Sequence, residues 1–543
     1  MKKICFLSVA ALSIVAITGC GGRKPSGDID IDSSKAQLRI YTYKGGVGDQ
    51  WLKNAAKVFE EKNKDREDFE DGKKGVKIQI QMDRTASGCD LEFTDLNFDI
   101  YFTENVDYYS LTNKNKFADI TDILTTPNSE DGNKKIIDKI DSNLVSYMNR
   151  NNKYYAVPFY DCLYGLVYDK DLFSEMSFYM KDDGTFTDDP ALFGTGPNGV
   201  PGDWDDGLPK TYDQFKKMIN KMVMVNQVIP FTYSSGIATY YTSRALTSYW
   251  SDDNGAANTQ LNFTFNGTAT NIMESADSID SNGVPTVSSV SINSSNGYLL
   301  KKQAGVYNSL RFARDVLCGD DRNYKGYSSN YDAQSAFINN KILGGSNKPI
   351  AMLFEGTWWE NEAAPAFDEA RSRGGSSFNY GFMPIPKSDE SKIGDATFVN
   401  LNNSFGFISA TSSQMKLAKE FFSFVHTDEQ LKAFTAETNM TRAMKYTFDV
   451  AERNNLSSYA RDLLAIKESE HVKIIYPVSD LDFFINNPKI FDYSGTTTWV
   501  FGTTSYSDNP IIRFIDEKTL SAKTYFEDHY NNLKENDWKT IVK

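Results

Sequence analysis

Cysteine is scarce in this 543-residue chain. There are five, Cys5, Cys20, Cys89, Cys162 and Cys318. Two of them fall within the first 20 residues, and the odd, widely spaced remainder does not form a disulfide framework. Buried free thiols are expected for Cys89, Cys162 and Cys318, with one bridge among them as the alternative. Histidine is scarcer still: His426, His471 and His529. None stands at metal-ligand spacing from a cysteine or another histidine, so nothing announces a zinc site. No Gly-x-Ser-x-Gly nucleophile elbow occurs, and no repeat of fixed period is visible. Basic residues are outnumbered 58 to 72, for a net charge of −14. Such a chain is poorly suited to nucleic acid, which demands clustered Lys and Arg. Beyond residue 19 no apolar run is long enough to cross a bilayer.

The amino terminus is distinctive. Lys2 and Lys3 precede an apolar run from Ile4 to Thr18, broken only by Ser8 and Ser13, which ends in Ile17-Thr18-Gly19-Cys20. A basic start and a short apolar stretch read as a secretion signal. The ending resembles the lipobox of bacterial lipoproteins. That resemblance implies removal of residues 1–19, a lipid on Cys20, and a body tethered outside the cell membrane. Loss of the two lysines leaves 56 basic residues against 72 acidic, a charge of −16. Residues 20–36, polar with Gly, Pro and Ser, read as anchor and flexible spacer.

The body reads as α/β. Leu38 to Tyr43 is a strand, and Asp49 is placed to cap a helix whose Leu52, Ala55, Ala56 and Phe59 share one face. Val76–Met82 and Phe98–Thr103 are further strands, with a helix opening at Asn105 or Asp107. Pro209-Lys210-Thr211 opens an amphipathic helix through Phe215, Met218 and Met222. Val228–Thr232, Ile350–Phe354 and Ser404–Ser409 are strands, the last followed by a helix over Met415–Val425. Strands alternating with helices argue for largely parallel sheets. Two stretches read as insertions: 180–208, rich in Asp, Gly and Pro, and 253–297, rich in Ser, Asn and Thr. The weak alternation at Phe263, Phe265, Val287, Val290 and Ile292 makes the second an irregular hairpin. Gly194-Thr-Gly196-Pro-Asn-Gly199 matches the dinucleotide fingerprint in letters only; without a strand before it and a helix after it, it reads as a turn-rich loop. Asp203, Asp205 and Asp206 invite calcium, but the ligand order of a calcium loop fails at Gly207.

Several patterns, taken in order, carry a resemblance. They are Phe98-Asp-Ile-Tyr-Phe-Thr103, Tyr154-Tyr-Ala-Val-Pro-Phe-Tyr160 and Gly165-Leu-Val-Tyr-Asp-Lys-Asp-Leu-Phe173. Ala351-Met-Leu-Phe-Glu-Gly-Thr-Trp-Trp359, Gly381-Phe-Met-Pro-Ile-Pro386 and Phe405-Gly-Phe-Ile-Ser409 follow. Together they resemble the family 1 extracellular solute-binding proteins of bacterial sugar ABC importers, the maltodextrin-binding group among them. The resemblance implies two discontinuous α/β lobes on a hinge, with lobe one at 37–158 plus 387–435 and lobe two at 159–386 plus 436–543. It implies a binding protein, not an enzyme, monomeric and without cofactor or metal. Such a protein hands a carbohydrate, an oligosaccharide by preference, to ABC permease subunits. Two rivals stand beside it: a surface-anchored glycoside-active enzyme, and the same fold binding a non-sugar ligand or a sensor partner.

Open α/β sheets bind ligands at the carboxyl ends of their strands. That rule selects Tyr43 and Lys44, Glu104 and Asn105, Thr232, Trp358, and Asn402 with Asn403. Tyr160 and Asp161 are expected on the hinge floor. Sugars offer apolar C–H faces to aromatic rings and hydroxyl edges to carboxylates and amides. Trp358, Tyr240, Tyr241 and Tyr43 are therefore the stacking candidates, and Glu104, Asp161, Arg244 and Asn403 the hydrogen-bonding ones.

Overall fold

A computed structural model describes residues 31–83, 91, 95–225, 227–234, 240–280, 283–344, 347–384, 386–400, 404–477, 510–530, 535 and 538. Cys20, Cys89, Asn402 and Asn403 lie outside the described residues. Cys162 and Cys318 are free and buried.

Two five-stranded sheets organise the chain. The first contains β1 (Ala36–Tyr43), β2 (Val76–Asp83), β3 (Ile100–Thr103), β4 (Ala156–Pro158) and β13 (Phe405–Ile408) in the order β2-β1-β3-β13-β4. The second contains β5 (Tyr164–Asp169), β6 (Ile229–Ser234), β9 (Tyr324–Tyr327), β10 (Ile350–Gly356) and β11 (Tyr380–Met383) in the order β11-β5-β10-β6-β9. Each sheet is mixed, where the sequence suggested largely parallel ones. β1 runs parallel to β2 and β3, and β6 parallel to β9 and β10. β13 and β5 run antiparallel to their neighbours. β5 enters its sheet straight from a crossover between the sheets. No βαβ connection constrains it, so nothing forces parallel pairing.

Local sequence accounts for the first unit. The helix Gln50–Lys62 buries Trp51, Leu52, Ala55, Ala56 and Phe59 on one stripe. Asp49 precedes that helix without capping it; its carboxylate instead pairs with Lys53 one turn later, at 2.8 Å. Asp107, not Asn105, caps the helix Tyr108–Asn113 by accepting from the Ser110 N–H.

The second insertion departs from the sequence reading. Residues 253–264 belong to a long helix, Tyr240–Thr264, kinked at Gly255 where φ is 73°. Only β7 (Gly267–Met273) and β8 (Val287–Ile292) form the expected hairpin, with a bulge between Ala269 and Ile272. Hydrophobic periodicity missed the helix because amides occupy its buried face. Asn254 and Asn262 are buried there and both donate to Gln303 Oε1, at 3.1 and 2.9 Å.

A small parallel pair joins β12 (Ala396–Val399) to β14 (Val472–Ile475). The sequence places these strands in different lobes. In the structure Asp252 of the long helix accepts from the Thr397 N–H at 2.7 Å and forms a buried ion pair with Lys387 at 2.9 Å. Residues 387–399 are therefore fastened to the long helix, because a buried charge must keep its partner.

The first insertion, 180–208, is a loop of turns, with Gly196, Gly199, Gly202 and Gly207 at positive φ. No helix follows Gly194–Gly199, in line with a turn-rich loop. Among the described residues no acidic or histidine cluster has metal-binding geometry. Asp205 is fully buried, with Oδ2 accepting from the Asn198 N–H at 2.9 Å. Burial pushes its carboxyl up to about 7, with the Asp203 and Asp206 charges adding. An acid raised in the folded state contributes stability below its unfolded value near 3.9, and loses it as pH climbs through the folded value. Asp205→Asn is therefore expected to gain on wild type by up to about 4 kcal/mol between pH 4 and pH 8. Urea unfolding at both pH values checks this; an equal difference at both would refute it.

Candidate functional site

The site is built around the crossover Phe159–Leu163, which carries the chain from β4 to β5. Every residue of it is buried. The Phe159 N–H donates to the Ser404 carbonyl at 3.0 Å and the Asp161 N–H to the Thr441 carbonyl at 2.9 Å. The Arg442 guanidinium donates to the Phe159 carbonyl and lies among the Trp51, Phe159 and Phe434 rings. Asp161, selected from the sequence for ligand, has a carboxylate already held by the protein. It accepts from Thr441 Oγ1 at 2.8 Å, Lys467 Nζ at 2.6 Å and the Tyr476 hydroxyl at 3.1 Å. Those contacts make it an anchor for the hinge.

Tyr160 is buried in the crossover. Its hydroxyl donates to Glu104 Oε1, from the loop after β3. Burial, then the Glu104 charge, raises its phenol well above the ordinary tyrosine range, so it remains a donor. Burial likewise pushes the Cys162 thiol up, which keeps it unreactive. The loop after β1 closes over this pair. A Cβ on Gly45 would lie 2.5 Å from Glu104 Oε1 and 3.0 Å from Tyr43 Cδ1, so a side chain there would push the Glu104 carboxylate aside. Lys44 on the same loop is exposed, and Asn105, half-buried beside Glu104, takes a left-handed φ of 54°.

The opposite wall is aromatic. Trp358 follows β10 and stands edge-on to Tyr164 and Tyr241, with ring centroids 4.7 and 5.4 Å away. The buried Arg244, one helical turn from Tyr241, lies 5.3 Å from the centre of the Tyr164 ring. Across the cleft, a Cβ on Gly46 would meet Trp358 Cδ1 at 2.2 Å. The two walls thus touch, and Trp358 is only 4% exposed. Beneath it, Trp358 Nε1 donates to Glu362 Oε2 at 3.3 Å. Glu355, at the end of β10, is fully buried; burial, then the Glu362 charge, holds its carboxyl well above the usual range.

Of the residues selected from sequence, Tyr43, Glu104, Tyr160, Tyr241, Arg244 and Trp358 converge on these two touching walls. Thr232 does not reach a strand tip. β6 continues to Ser234, so Thr232 is buried within the sheet and its hydroxyl donates to the Lys325 carbonyl at 2.7 Å. Tyr240 begins the long helix, and its side chain lies outside the described residues. Tyr164, Gly46 and Glu362 were missed. Only Glu362 had a usable sequence signal, its spacing of one helical turn from Trp358.

No sequence among curated proteins matches the chain. Solved structures do. RafE from Streptococcus pneumoniae, in its apo form, aligns at a TM-score of 0.55 with 14% identity, over 95% of this chain and 100% of that one. A structure of RafE in complex with raffinose aligns at 0.52 with 13% identity, over 92% and 99%. The Thermus thermophilus maltotriose binding protein, bound with maltotriose, aligns at 0.51 with 13% identity, over 93% and 100%. At these identities the likeness establishes the two-lobed fold. The family model described as bacterial extracellular solute-binding protein matches residues 45–432. That match spans most of the chain, with all of the second sheet and every strand of the first except β1, and on it the chain belongs to the bacterial extracellular solute-binding protein family.

Proposed function

We propose that this protein captures a carbohydrate between its two lobes by hinge closure and passes it, chemically unchanged, to the membrane subunits of an ABC importer. The observation that carries the reading is the contact of the Trp358 wall with the Gly45–Gly46 loop, beside the Glu104–Tyr160 pair. Rings and acid–phenol edges in one cleft suit the two chemistries of a sugar. Solved structures of the same fold hold raffinose and maltotriose. A ring this covered meets ligand only when the lobes part, and a ligand touching both walls favours the closed state. We assign the protein to the outer side of the cell membrane, anchored through lipid on Cys20. No helix among the described residues is long and apolar enough to cross a membrane.

The test is calorimetric titration of purified protein with raffinose and maltotriose, followed by recovery of the sugar. Saturable binding with intact sugar is the expected result. Cleavage of either sugar, or thermal stabilisation by peptides or polyamines and by no saccharide, would end the proposal.

A further inference from the structure

We propose that Glu362 is a positioning residue for this site, whose carboxylate holds the Trp358 and Tyr241 rings in the orientation that receives ligand. The inference rests on the carbohydrate-binding reading of that wall. A single atom, Glu362 Oε2, gathers three donors. They are Trp358 Nε1 at 3.3 Å, the Tyr241 hydroxyl at 3.0 Å and Gln334 Nε2 at 3.2 Å. Gln334 is fully buried, and the same nitrogen lies 2.8 Å from Glu355 Oε1. Glu355 Oε2 in turn accepts from the Gly356 N–H at 3.1 Å.

The network ties four pieces of chain together. β10 supplies Glu355, the helix Asn330–Ile342 supplies Gln334, the helix Trp359–Glu362 supplies the carboxylate, and the long helix supplies Tyr241. Geometry explains why this matters. Trp358 and Tyr241 stand at 79° to each other, so turning either ring about its Cβ breaks the edge contact and misdirects the face offered to a sugar. Edge-to-face packing alone allows the indole to flip with its N–H toward solvent. The Glu362 acceptor fixes the N–H inward, and the buried amide of Gln334 fixes Glu362. A binding group is only as well placed as the residues that support it.

The test uses the mature protein and the variants E362L, E362Q and E362D. W358F/Y241F is prepared alone and combined with E362L, and W358F is prepared alone and combined with each of E362L, E362Q and E362D. Raffinose and maltotriose are titrated calorimetrically. Trp358 emission is read as the difference between each protein and its W358F counterpart. E362L is expected to weaken sugar binding by about tenfold or more, the equivalent of one charge-assisted hydrogen bond. It is also expected to make Trp358 emission more readily quenched by acrylamide. E362Q keeps an acceptor oxygen and is expected to recover most of the affinity, which a merely structural role would not require. In the W358F/Y241F background, with both ring donors gone, E362L is expected to cost almost nothing. If E362L does not fold, E362D, which withdraws the acceptor by one methylene, is expected to change the emission in the same direction. Unchanged Trp358 emission in E362L or E362D overturns the inference. So does an equal loss of affinity with and without the ring donors. If wild type binds neither sugar, the carbohydrate reading falls, while the emission measurement still decides the role of Glu362.

Discussion

Trp358→Ala is expected to abolish the thermal shift that raffinose or maltotriose gives the wild-type protein. Ligand at a hundred times Kd stabilises a folded state by about 2.7 kcal/mol. For lobes of this size that corresponds to roughly 5 to 10 °C in Tm. The Trp358 ring is the centre of the aromatic wall, packed on Tyr164 and Tyr241 and facing Gly46. Alanine removes the stacking face and the indole donor to Glu362 together. Because the ring is buried, the ligand-free protein also loses stability, by about 3 to 5 kcal/mol for a tryptophan truncated in a packed environment. A lower but single cooperative transition is therefore expected for the variant, with no further shift on adding sugar. Trp358→Phe, which keeps a flat face, is expected to retain part of the shift. Equal sugar-induced shifts in the alanine variant and wild type would remove Trp358 from the site.

Gly46→Val is expected to weaken sugar binding by about a hundredfold, close to 2.8 kcal/mol, while leaving the ligand-free Tm nearly unchanged. The backbone does not require glycine here, since Gly46 is outside the left-handed region. The requirement is the partner across the cleft: a Cβ would stand 2.2 to 2.4 Å from Trp358 Cδ1, Cγ and Cβ. No side chain fits that gap. The clash arises only when the lobes touch, so it raises the closed state and spares the open one. Apparent affinity then falls with the population of the competent closed state. Small-angle scattering distinguishes this from unfolding: sugar is expected to compact wild type and not Gly46→Val. Gly46→Ala, a smaller intrusion, is expected to fall between them. Wild-type affinity in the valine variant would mean that ligand is held without this contact.

The cleft was legible in the sequence where a local pattern ends at it. Trp358 follows a run of apolar β-formers and precedes a helix, and Tyr160 follows the short strand Ala156–Pro158. Glu104 follows a four-residue strand with every residue buried. Asp161 was selected for the same reason: its position in the crossover is local, whereas Thr441, Lys467 and Tyr476, which bond its carboxylate, come from about 300 residues downstream. The polar helix over 253–264 failed for another reason. Periodicity reads apolar faces, and this helix buries amides bonded to Gln303.

By itself the sequence determined the first strands and helices, the solute-binding family, the two-lobed fold and the aromatic and acidic candidates. These follow from side-chain periodicity and short motifs, which depend on neighbours within a turn or a strand. Tertiary structure alone decided that Thr441, Lys467 and Tyr476 take up the Asp161 carboxylate, that residues 387–399 fasten to the long helix, that Gly46 meets Trp358, and that Glu362 gathers the ring donors. Each of those depends on atoms brought together from distant stretches of chain, where hydrogen-bond geometry and excluded volume, not residue type, choose the partner.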